Sequence, residues 1–198
     1  ICLLLKLLLH HYIKKEIMEQ IFEKLYDAWL DDFRSYFEIQ FEETIVKRYC
    51  FWHGGTQEGV EGKGKTFNAA YEILIYAFFL GLYSGQGRRP LVGKKRHLSM
   101  EMKHWGNVNT KLFKGRKKYD QIQKYIFAAL IAKTDIDLIA IDRGDLPVEK
   151  GVDELQLTLS EYINTGFYLM QDKMNDIPDY FDGQQSFLSF ITKYASKM

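Results

Sequence analysis

The stretch Gly59 to Thr66 reads GVEGKGKT and fits the phosphate-loop pattern G-x-x-x-x-G-K-[ST]. The chemistry of that spacing is nucleotide binding. Glycines let several backbone N–H groups converge on phosphate oxygens. Lys65 would reach the β- and γ-phosphates, and Thr66 would hold Mg²⁺. Asp142, at the end of the apolar run DLIAID, stands where a second metal-binding acid would follow a strand. Phe67 is expected to open a helix directly after the loop, so that its positive end faces the anion.

The surroundings of the motif point the other way. A phosphate loop follows directly from a buried parallel strand, whereas HGGTQE before it is polar and turn-forming. Such folds also alternate strands with helices, and the chain offers two strand candidates at most. A solvated, glycine-rich loop is therefore the first expectation for this stretch. The alternative keeps Gly59, Gly64, Lys65, Thr66 and Asp142 as a site for ATP or GTP with Mg²⁺.

Other catalytic constellations are absent from the sequence. The histidines are His10, His11, His53, His97 and His104, and none falls in an H-E-x-x-H pattern. Cys50 lies three residues before His53, but a thiol–imidazole pair needs a geometry that spacing does not supply. Glu38 and Glu42 share a helical face, which a solvated surface explains. Cys2 and Cys50 make neither a disulfide framework nor a zinc pattern. RGD at Arg143 to Asp145 reads as a polar turn before Pro147. No cofactor is expected outside the nucleotide alternative, and the balance leans away from an enzyme.

The strongest signal is charge. Between Gln86 and Lys118 stand eleven cations: Arg88, Arg89, Lys94, Lys95, Arg96, Lys103, Lys111, Lys114, Arg116, Lys117 and Lys118. Glu101 is the sole acid there, so the segment carries +10 in a chain of net +1 and the remainder carries −9. Clustered cations release counterions from a polyanion, and interleaved rings such as Trp105 and Phe113 can stack on unpaired bases. The leading expectation is a non-enzymatic helical subunit or adaptor that contacts nucleic acid through Arg88 to Lys118. Two others compete. The segment can dock on acids of the same chain or of a protein partner, Asp27, Asp31, Asp32, Glu38, Glu42 and Glu43 forming one acidic stretch. Or it can be a solvated loop.

The elements that would hold these residues read as helical. A chain of 198 residues is long enough for one well-buried domain and short for two. Hydrophobic residues at 46% argue against disorder, and three prolines suit long helices. The aromatic share of 15% reads as bulky packing between helices. The expected fold is mainly α: one domain of about five to seven helices around a central apolar helix from Phe67 to Tyr83.

Apolar periodicity places a first helix from residue 3 to about 38, an amphipathic one over Lys117–Lys133 and the longest over Val148–Met174. A last helix covers Gln184–Lys197. Gly166, within the stripe of the longest helix, should let a neighbour pack closely. Short strands are expected, if anywhere, at Thr44–Trp52 and Leu138–Ile141. Residues 1–17 read as an extension ahead of a natural start at Met18. Lys6, His10 and His11 interrupt their apolar run, and the central helix contains Asn68 and Glu72, so no membrane span is expected. A cytoplasmic protein, alone or as a homo-oligomer, is the corresponding expectation.

Overall fold

The computed structural model describes residues 22–32, 34–51, 63–107, 118–119, 121–183 and 185–196. Helix α1 covers residues 22–30. A short strand β1, Tyr36–Glu38, follows. A π-helical turn, Glu42–Val46, is closed by the Lys47 N–H donating to the Glu42 carbonyl, and runs into α2, Lys47–Tyr49. Next come α3, Ala70–Ser84, and β2, Lys95–His97. The remaining α-helices are α4, Ile122–Ile131, α5, Leu138–Arg143, α6, Val148–Asp176, and α7, Ser186–Ala195, with short 3-10 turns at Met102–His104 and Tyr180–Asp182. β1 and β2 pair antiparallel, with Tyr36 opposite His97, Phe37 opposite Arg96 and Glu38 opposite Lys95.

The mainly helical expectation holds, with only a two-stranded sheet among the described residues. The positions of the strands do not. Residues 44–49 are helical rather than extended, and Leu138–Ile141 lies in α5. The first apolar run is broken sooner than its periodicity suggests, since α1 ends at residue 30 and β1 begins at Tyr36. α5 is helical because Asp137 caps it, its carboxylate accepting from the Ala140 N–H at 2.9 Å. Gly144, at φ +78°, then closes it. The RGD residues are thus the end of a helix and its turn.

The core forms where α3 meets α6. α3 is apolar on nearly every face, and Ile73, Leu74, Ala77, Phe78 and Leu80 are buried. α6 begins after Pro147, whose fixed φ suits a helix start. Gly81 on α3 and Gly166 on α6 bring the two backbones together. A Cβ built on Gly166 would lie 2.0 Å from the Ala77 carbonyl oxygen, and one on Gly81 2.2 Å from that of Tyr162. The close packing expected at Gly166 is what the structure contains.

Aromatic rings fill the rest. Phe187 of α7 meets Tyr49, Phe67, Tyr76 and Phe181, all within 5.2 Å between ring centroids. Trp29 packs on Phe127, and Trp105 stacks on Tyr71. Cys50 lies in this core, its Sγ donating to the Val46 carbonyl at 2.7 Å, and burial pushes its thiol pKa up to about 12. No helix among the described residues is long and apolar enough to cross a membrane.

Candidate functional site

The first half of the basic segment lies across the polar side of α6. That side buries Gln156, Thr158, Ser160, Asn164 and Thr165. An extended strap from Gly87 to Lys94 runs over it. The Thr165 hydroxyl donates to the Gly87 carbonyl at 2.9 Å and accepts from the Arg89 N–H at 3.0 Å. The Asn164 amide donates to the carbonyls of Arg89 and Pro90 at 3.3 and 3.2 Å. A strap with few regular hydrogen bonds must satisfy its backbone through side chains. The hydroxyls and amides of α6 do so.

Glu38 is the centre of this arrangement. It is 2% exposed and sits at the end of β1. Its carboxylate accepts from the Val92 N–H at 3.2 Å, Asn164 Nδ2 at 3.1 Å and the Tyr168 hydroxyl at 3.0 Å, and also from Gln40. Burial pushes its pKa up, but the hydrogen bonds from Val92, Tyr168, Asn164 and Gln40 outweigh burial and hold it below the ordinary glutamate value. The residue that shared a solvated helical face in the sequence pattern is instead a buried acceptor in a strand. Arg89 closes the cluster from outside, its guanidinium 3.3 Å from the centre of the Tyr168 ring.

The cations of the segment divide into two groups. Arg88 reaches Glu154 at 2.9 Å, Glu161 at 3.4 Å and the Thr158 hydroxyl. Arg96 reaches Glu42 at 3.4 Å, and Lys103 reaches Asp31 at 2.9 Å and Glu101 at 2.6 Å. Docking on acids of the same chain is therefore a fact for these three. Two of their partners, Asp31 and Glu42, belong to the acidic stretch that the charge pattern singled out. Lys94, Lys95 and Arg89 are exposed and have no carboxylate partner among the described residues. Lys118 is exposed. Lys111, Lys114, Arg116 and Lys117 lie outside the described residues.

Trp105 is placed differently from its role in the sequence reading. It is fully buried against Tyr71, with its carbonyl accepting from the Gln123 amide. It anchors the chain beyond β2 and offers no face to a base. Its cationic neighbours gave the sequence pattern a binding look. Its true partners lie far along the chain.

The glycine-rich motif is also accounted for locally. Gly59 lies outside the described residues, and Gly64 takes φ +65°. The Lys65 ammonium donates to the carbonyls of Lys47 and Arg48 at 2.6 and 2.8 Å, so it caps the end of α2. The Thr66 N–H donates to the Tyr49 carbonyl at 3.0 Å. Phe67 does not open a helix. It bridges to Cys50, and α3 starts three residues later at Ala70. Asp142 is exposed on α5 and not at the end of a strand. Lys65 and Thr66 thus serve the joint between α2 and α3.

No group of three or more His, Cys, Asp or Glu residues that could hold a metal ion occurs among the described residues. Compared with protein-family models, curated proteins and solved structures, the chain has no match.

Proposed function

We propose that the chain is a non-enzymatic helical adaptor that contacts nucleic acid through the cations its own carboxylates leave unpaired. The observation that carries this reading is the strap: α6 and Glu38 fix its backbone, and Arg89, Lys94 and the adjoining Lys95 are exposed with no acidic partner among the described residues. A strap whose backbone is already fixed loses little further conformational freedom when its cations meet phosphates. Lys111, Lys114, Arg116 and Lys117 extend the same charge along the sequence. With Trp105 in the core, that ring does not stack on a base, and the exposed cations meet backbone phosphates.

The test is fluorescence anisotropy of labelled single- and double-stranded DNA and RNA at two salt concentrations. The expected result is salt-sensitive binding with little sequence preference. In Lys94→Ala/Lys95→Ala the log–log salt slope should fall by about 2, since each phosphate contact contributes roughly 0.9. An unchanged slope removes the strap from the interface. A second reading, an acidic protein partner, is favoured by the carboxylates that Arg88, Arg96 and Lys103 already hold. Absence of nucleic-acid binding at low salt would leave that reading in place.

A further inference from the structure

Arg89 differs from its exposed neighbours Lys94 and Lys95 in what lies beneath it. Its guanidinium carbon stands 3.3 Å from the centre of the Tyr168 ring. The C–N bonds of a guanidinium are partial double bonds, about 1.3 Å long. Standing upright, the group would push at least one nitrogen to within about 2.6 Å of the ring, far inside the ~3.5 Å of ordinary contact. The guanidinium therefore lies flat on Tyr168. Its N–H groups point outward along the surface, parallel to the ring, and its second face is turned away from Tyr168.

The surface under Arg89 is fixed. The Tyr168 hydroxyl donates to Glu38 at 3.0 Å and accepts from Gln40 Nε2 at 3.0 Å. Phe41, itself buried, meets the Tyr168 ring edge-to-face at 5.0 Å. The backbone of residue 89 is held independently of its side chain, since its N–H donates to the Thr165 hydroxyl and its carbonyl accepts from the Asn164 amide. Arg89 is exposed, and no carboxylate or second ring meets its guanidinium among the described residues. The nearby Glu161 has its carboxylate on Arg88. Lys94 is brought close by the same cluster. Glu38, which holds the Tyr168 hydroxyl, also holds the Val92 N–H, and the next residue, Ile39, donates its N–H to the Lys94 carbonyl at 2.8 Å.

We infer that Arg89 is a stacking platform for one unpaired base of a single strand. The base lies on the outer face of the guanidinium, and the N–H groups at its rim and the Lys94 ammonium take the flanking phosphates. This rests on the nucleic-acid reading and deepens it by naming a single strand as the partner. A duplex keeps its base faces covered and offers Arg89 only phosphates. A lysine at this position would carry the same charge without the flat face.

The experiment is fluorescence anisotropy of the full chain with a labelled thymidine oligomer and with an abasic strand of the same number of phosphates. The parent should bind the thymidine strand about tenfold more tightly. Arg89→Lys keeps the charge and the backbone bonds of the strap, and should bind the two strands alike. Lys94→Ala should weaken both strands by the same factor and keep the preference. Equal binding of the two strands by the parent overturns the platform and leaves the nucleic-acid reading standing. A preference that survives in Arg89→Lys also overturns it, by putting the stacking group elsewhere. If neither strand binds at low salt, the platform and the nucleic-acid reading fall together.

Discussion

α6 has two sides that solve the same problem with opposite chemistry. On one, Gly166 removes the side chain altogether, and the backbone of α3 comes to rest against it. On the other, Thr165 and Asn164, its immediate neighbours, receive the strap through hydroxyl and amide groups. The first contact is made by exclusion of atoms and tolerates none added. The second is made by matched donors and acceptors and depends on each remaining matched. Adjacent residues on one helix thus fix a regular element and an irregular one, and their failures should differ in kind and in size.

The largest effect is expected on the apolar side. Gly166→Ala places a methyl against backbone that has no rotamer to yield, and should cost about 3–4 kcal/mol in urea denaturation. A cost below ~1 kcal/mol would show that the helices separate readily and would dissolve the contrast. Glu38→Gln comes next. It replaces one accepting oxygen by an amide donor that faces the donors of this cluster and should cost about 2 kcal/mol by the same measurement.

The charge of Glu38 also gives this side a pH dependence. The folded pKa is held below the unfolded one, so the unfolded state binds the proton more readily. Its stabilisation is complete above the unfolded value, about 4.3, and is lost as pH falls through the lower folded value. Urea midpoints measured from neutral pH downward should fall in that acid window, and Glu38→Gln should flatten this component of the profile. Thr165→Val removes one donor and one acceptor from the strap for about 1 kcal/mol. Arg88→Ala, an exchange on a half-exposed ion pair, should cost less than ~1 kcal/mol. If the last two exceeded Gly166→Ala, the strap and not the helix pair would be the stability centre of the molecule.

The same division explains what the sequence made legible. α3 and α6 were readable because their partners are apolar and recur with helical period, as Leu155, Leu159 and Met170 do. Gly166 stood out because glycine inside such a stripe has few other uses. The polar contacts left no period. Glu38 meets Asn164, 126 residues later, and nothing near either residue announces the pairing. Trp105 looked like part of a binding surface because its neighbours in sequence are cations, while its neighbour in space is Tyr71. The LIAI of α5 is β-prone, but its Asp137 cap and Gly144 stop make it helical. Of the candidate site, the charge and its intramolecular acids were visible in composition. Which cations stay unpaired depended on the path of the strap.

Cys50 turns the interior of the protein into a clock. Its thiol is sealed by the aromatic cluster and held protonated, so a thiol reagent reaches it only when the fold opens. With Cys2 replaced, the rate of labelling at Cys50 would time that opening molecule by molecule, without denaturant. Run in the presence of nucleic acid, the same clock should slow as the folded chain binds it.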